Sequence, residues 1–141
     1  MRSAARKPSN GHALRREQLM SEHQQAATLR KLFPEIEQLR IELVFNDPTA
    51  RAPPSPQRHT LYSAAAAFFR FACPCADCDG DFDLTDAVTT LISNSTGRKR
   101  TSSIAGQLSC HGMRLRDHGT PQTVCSMQLS YRLYSEPRSQ T

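Results

Sequence analysis

The stretch Phe71-Ala72-Cys73-Pro74-Cys75-Ala76-Asp77-Cys78-Asp79-Gly80 carries three of the chain's five cysteines and closes on a glycine. Thiols this close together on a turn are placed to chelate a metal ion, and a tetrahedral site needs four ligands of thiolate or imidazole type. The turn can supply two of them. The other thiols in the chain are Cys110 and Cys125, so a metal bound here would join the middle of the chain to its end.

The cysteines fall into step with the alternation of the segments that carry them. Phe69, Phe71 and Cys73 share a parity on a strand entering the turn. Ile104, Gly106, Leu108 and Cys110 alternate against Ala105, Gln107 and Ser109, and Cys125, Met127, Leu129, Tyr131 and Leu133 alternate against Ser126, Gln128, Ser130, Arg132 and Tyr134. These two segments read as an antiparallel pair of strands. Cys73, Cys110 and Cys125 thus each lie on the apolar side of a strand and near its end. Four of the five cysteines Cys73, Cys75, Cys78, Cys110 and Cys125 are the expected ligands of one zinc ion (Zn2+). Cys75 and Cys78 have the common Cys-x-x-Cys spacing, but strand parity favours Cys73 over Cys75 as the partner of Cys78. His111 and His118 are near enough to substitute and are read as polar loop residues.

The rest of the chain builds the frame. Residues 1–13 form a basic tail, expected to be disordered, and a loose apolar period predicts a helix over 14–33. After Pro34, Leu39, Ile41, Leu43 and Phe45 alternate against Gln38, Arg40, Glu42 and Asn46, as in a half-buried strand. Residues 47–58, with Pro48, Pro53, Pro54 and Pro56, read as a long loop, and 59–67 as helix or turn because of the run Ala64–Ala67. Leu84, Ala87, Val88, Leu91 and Ile92 define a helix over about 84–93, capped by Asp83 or Thr85. The expected fold is α+β, a small antiparallel sheet of about four strands with two helices, stapled by a structural zinc. Its zinc-binding domain would span 34–137, with a tail at 138–141.

The run Phe71-x-Cys73-Pro74 followed by Cys78-x-Gly80 resembles the knuckle of zinc-ribbon proteins, and Cys110-His111-Gly112 echoes it. The resemblance implies a structural zinc held between hairpins. Glycine in such a knuckle is expected to supply positive φ while backbone amides donate to the thiolates. The second half departs from a ribbon, since Cys110 and Cys125 are not a close pair and a helix lies between the halves.

At 141 residues, 38% hydrophobic and without tryptophan, the chain can build one modest core, for which a metal staple is a useful supplement. No apolar run is long enough for a membrane span or a signal peptide, so the expected setting is cytoplasmic, where cysteines serve as metal ligands or free thiols. The net charge of +5 makes nucleic acid the first expected partner, ahead of another protein, with Arg98, Lys99 and Arg100 as candidate phosphate contacts alongside Arg114 and Arg116. No Gly-x-Ser-x-Gly, His-Glu-x-x-His or phosphate-binding glycine loop is present. The aspartates around Cys75-x-x-Cys78 oppose thiolate formation, and the run 77–88 lacks the glycine and glutamate of a calcium loop. The function that emerges is a zinc-binding binding or adaptor module. The alternative is a zinc- or thiol-dependent enzyme, either a hydrolase using an aspartate from 77–83 or an oxidoreductase.

Overall fold

The longest alternation in the sequence becomes the central strand of the main sheet. In the computed structural model, which describes residues 11–75, 77–95, 100–114 and 123–138, this strand buries Ile36, Leu39, Ile41, Leu43 and Phe45 and exposes Glu37, Val44 and Asn46. The elements follow in the order α1 (Gly11–Gln25), α2 (Leu29–Leu32), β1 (Ile36–Asn46), β2 (Ser55–Tyr62), β3 (Arg70–Ala72), β4 (Asp81–Asp83), α3 (Thr85–Ser95), β5 (Ser102–Ser109), β6 (Met113–Arg114), β7 (Thr123–Val124) and β8 (Gln128–Pro137). The fold is α+β. Its main sheet has four strands in the order β2-β1-β8-β5, with every neighbouring pair antiparallel.

One face of this sheet is packed. Leu39, Ile41 and Leu43 of β1 and Leu129 and Leu133 of β8 are fully buried, and Val88, Leu91 and Ile92 of α3 lie in the same core cluster. α3 extends to Thr85–Ser95 and starts where expected, with Asp83 Oδ1 accepting the Thr85 N–H at 2.9 Å. Phe45 and Phe82, ring centroids 5.5 Å apart, carry the core from the sheet into the cysteine-bearing lobe. That lobe consists of two small hairpins, β3–β4 and β6–β7.

Three expectations require correction. Residues 55–62, assigned to loop and to helix or turn, form β2. Pro56 is tolerated because β2 is an edge strand, paired on one side only among the described residues, from Gln38↔Tyr62 to Phe45↔Ser55. The fourth strand of the sheet is therefore β2, and the strand leading into the cysteines belongs to a separate hairpin. The alanine run is a turn, in which the Ala65 N–H donates to Tyr62 O at 2.9 Å.

The helix expected over 14–33 is two helices. α1 begins at Gly11, inside the expected tail, and ends at Gln25. Tertiary pairing overrides helix propensity after that point: Leu29 N–H donates to Ala65 O at 2.7 Å, Arg30 N–H to Ser63 O at 2.9 Å, and Ala67 N–H to Ala27 O at 2.7 Å. Thr28 then caps the four-residue α2, its hydroxyl accepting from Lys31 N–H at 3.2 Å. Lastly, Arg138 is not tail. Its N–H donates to Glu35 O at 2.8 Å and its guanidinium to Pro34 O and Ser63 Oγ, each at 3.1 Å. Among the described residues, no helix is long and apolar enough to cross a membrane.

Candidate metal centre

The first half of the site is the loop of the β3–β4 hairpin. Cys73 continues the ladder by donating its N–H to Gly80 O at 3.0 Å, and the Cys78 N–H donates to Cys75 O at 3.2 Å, turning the chain back. The second half is a ribbon running out of β5 and β8. Beyond the last ladder pair, Cys110 N–H donates to Met127 O and Cys125 N–H to Gly112 O, both at 3.0 Å, and β6–β7 carries the ribbon on. Cys110 thus lies opposite Met127 and Cys125 opposite Gly112, which sets the two cysteines diagonally across the ribbon where it leaves the main sheet. The bridge Cys78↔Arg114 and the hydrogen bond from Asp79 N–H to Met113 O at 3.3 Å bring the halves together.

The four sulfur atoms of Cys73, Cys78, Cys110 and Cys125 lie within 4.8 Å of one another, and all four residues are buried, with exposures from 0% to 4%. Cys73 Sγ is 3.8 Å from Cys125 Sγ, and Cys78 Sγ is 3.5 Å from Cys110 Sγ. Four sulfurs each about 2.3 Å from a tetrahedral zinc stand about 3.8 Å apart, close to these two separations, so this set could hold a metal ion. Cys75 is not among them. It is half-buried, and its thiol donates to Asp77 Oδ1 at 2.7 Å.

Each of the four sulfurs receives the backbone N–H two residues on. Gly80 donates to Cys78 Sγ at 3.2 Å, Gly112 to Cys110 Sγ at 3.3 Å and Met127 to Cys125 Sγ at 3.4 Å, while Cys75 N–H serves Cys73. Such donors stabilise thiolates and fix their direction. Positive φ is not the reason for the glycines, because neither Gly80 nor Gly112 lies in the left-handed region. Close approach is the reason. A Cβ on Gly80 would fall 2.6 Å from Cys110 Sγ, and a Cβ on Gly112 would fall 2.5 Å from Gly80 Cα and 2.8 Å from Cys78 Sγ.

The electrostatics of the set favour a cation. The Cys110 thiol is held down, chiefly by its neighbour Cys73, with Gly112 N–H adding and burial opposing. Cys73 is pushed strongly up, first by the neighbouring Cys110 and then by burial, and Cys78 is pushed up to about 12, mainly by burial. Among Cys73, Cys78 and Cys110 one thiolate is thus favoured and a second is resisted. A divalent ion removes that resistance by sharing its charge among all four sulfurs. Cys75 is pushed up to about 11, by burial first and then by Asp77, which leaves it a poor nucleophile at neutral pH.

A polar clamp not visible in the sequence backs the second half. Asp47, at the end of β1, accepts at Oδ1 from Ser126 Oγ at 2.6 Å and Thr49 N–H at 3.0 Å, and at Oδ2 from Arg114 at 2.6 Å. The Ser126 hydroxyl, then Arg114, hold its carboxyl well below the usual carboxylate range. Arg114 is kept charged by Asp47 and, next to it, by Cys125, so a guanidinium stands beside the thiolate set. The run Asp47-Pro48-Thr49 signals only the local Asx-turn and not the distant partners Ser126 and Arg114.

The remaining candidates do not converge on the cysteines. Arg100 is exposed, His111 is exposed, and Arg98, Lys99, Arg116 and His118 lie outside the described residues. Arg114 is only 14% exposed in its side chain and is committed to Asp47, which corrects its placement in a surface basic patch. The aspartates of the first loop are not free in solvent either: Asp79 Oδ1 accepts Met113 N–H at 2.8 Å, and Asp81 pairs with Arg70 at 3.0 Å. Compared with protein families, curated proteins and solved structures, the chain matches none.

Proposed function

We propose that this chain is a zinc-stapled binding module whose partner is nucleic acid. Cys73, Cys78, Cys110 and Cys125 hold one structural zinc ion, and the ion replaces part of the core that so small an apolar content cannot supply. The observation that carries the reading is the set of four buried sulfurs within 4.8 Å of one another. An all-sulfur tetrahedral set suits zinc, and the knuckle likeness at Phe71–Gly80 and Cys110-x-Gly112 supports the same ion. Four protein ligands that are all buried leave no position for a substrate or an activated water, which favours a structural site over a hydrolytic one. The backbone donors and Arg114 offset the negative charge that a tetrathiolate carries around a divalent ion.

The nucleic-acid partner rests on the net charge of +5 and on the basic run at Arg98, Lys99 and Arg100. Cobalt exchange tests the site: a tetrathiolate charge-transfer spectrum is expected, and a five-coordinate spectrum would point to catalysis instead. Binding to single- and double-stranded oligonucleotides tests the partner. Affinity should fall steeply with rising salt and weaken when Arg98, Lys99 and Arg100 are neutralised; salt-independent binding, or none, removes nucleic acid from the reading.

A further inference from the structure

The two edges of the main sheet are built differently. A free edge exposes a row of unpaired N–H and C=O groups, and proteins blunt such edges with charge, proline or bulges. β2 has these devices, with Pro56 and Arg58 in the strand and Pro53 and Pro54 before it. β5 has none of them. It reads Ser102-Ser-Ile-Ala-Gly-Gln-Leu-Ser109, without charge or proline, and pairs with β8 in unbroken register from Ser102↔Ser135 to Ser109↔Gln128. Among the described residues, the sheet ends there.

The core is also unfinished at this edge. The inward residues Leu39, Ile41, Leu43, Leu129 and Leu133 of the central strands are fully buried, whereas Ile104 and Leu108 of β5 are only half-buried. Next to Ile104, at one end of β5, an open cavity of about 480 Å³ lies between α3 and β5, lined by Leu91 and Ile104 and otherwise by polar residues, Arg100 among them. Strand edge and core face are thus left open together.

We propose that β5 pairs antiparallel with β5 of a second copy of this chain, joining two four-stranded sheets into one. Self-pairing is what an uncharged edge permits, because a two-fold axis brings each side chain near its own counterpart and would set like charges together. Arg58 would meet that repulsion on β2. Both copies must keep their core faces on the same side, so one residue sits on the axis opposite itself. With Gly106 there, Ile104 of each copy lies opposite Leu108 of the other on the core side, and Ala105 lies opposite Gln107 on the solvent side. The half-buried Ile104 and Leu108 then cover one another, and the two α3 helices lie on the same face of the joined sheet. This assembly does not depend on the identity of the metal or on nucleic acid.

Sedimentation velocity on the full chain tests it. The expected species is a dimer of twice 15.8 kDa. A105K/Q107K sets lysines opposite one another twice across the axis and should raise the dissociation constant at least about tenfold. A105K/Q107E sets each lysine opposite a glutamate of the second copy and should return it toward the wild-type value. Circular dichroism should show both variants folded, since positions 105 and 107 are exposed. A wild-type chain that stays monomeric at about 100 μM overturns the proposal, as does a dimer that A105K/Q107K leaves intact. Loss of the dimer in both double variants rejects the Gly106 register.

Discussion

Gly80 and Gly112 pass each other backbone to backbone beneath the four sulfurs, each within reach of a cysteine from the opposite half. Gly80→Ala or Gly112→Ala forces a methyl group into that contact and should cost about 2 kcal/mol in urea denaturation. A loss under about 0.5 kcal/mol would mean the loops can part without penalty. The ligand assignment separates as cleanly: Cys75→Ser should keep the full metal content, whereas Cys73→Ser should lose it. The reverse pattern would exchange the two residues. Asp47→Asn weakens the clamp on Arg114 and Ser126 and should destabilise the fold by about 2 kcal/mol at neutral pH. Because the Asp47 carboxyl is depressed in the folded state, its stabilisation is complete above pH about 4 and fades as pH falls through the lower folded value. The gap between wild type and Asp47→Asn in thermal melts should therefore narrow in acid, and a gap that widens would contradict the clamp. At this scale the sequence made Cys73 legible through its parity with Phe69. It left Asp47 illegible, because its partners Ser126 and Arg114 are distant in sequence and only the tertiary fold brings them together.

Elements with a buried face could be read, and elements without one could not. β1, β5 and β8 alternate because one side meets the core, and α3 shows its stripe because Val88, Leu91 and Ile92 pack on the sheet. β2 is an edge strand with a mostly exposed burial pattern, so its prolines spoke louder than its pairing. α1 buries only Leu19, and a helix of that length is marginal on its own in water. It is held largely by charge: Arg15 Nε donates to Asp79 O at 2.9 Å, and Arg70 joins Glu22 of α1 to Asp81 of β4. Partly exposed pairs of this kind contribute about 0.5 kcal/mol each. Arg70→Ala should thus speed amide hydrogen exchange throughout α1 while α3 and the main sheet keep their protection. Unchanged exchange in α1 would show that Leu19, Arg15 and the His23–Phe68 contact dock it without Arg70.

For the whole molecule, the cysteine set is the joint between a packed sheet and two hairpins that are too short to stand alone. β3, β4, β6 and β7 have two or three residues each, and the buried contents of their lobe are largely the four sulfurs with Phe69 and Phe82. The expected fold class, with about four antiparallel strands, was legible because alternation and helical period are local signals. Closure of the lobe was legible only as a coincidence of parity and spacing, since no local signal specifies which sulfurs meet. If zinc is the joint, removing it should unfold the lobe and expose the core face that Phe45 and Phe82 share. The most direct measurement is metal analysis of the purified chain by mass spectrometry, paired with thermal melts before and after chelation. The account predicts about one equivalent of zinc per chain and a cooperative melt that chelator lowers or abolishes. A chain that carries no metal and melts at the same temperature with or without chelator would contradict it.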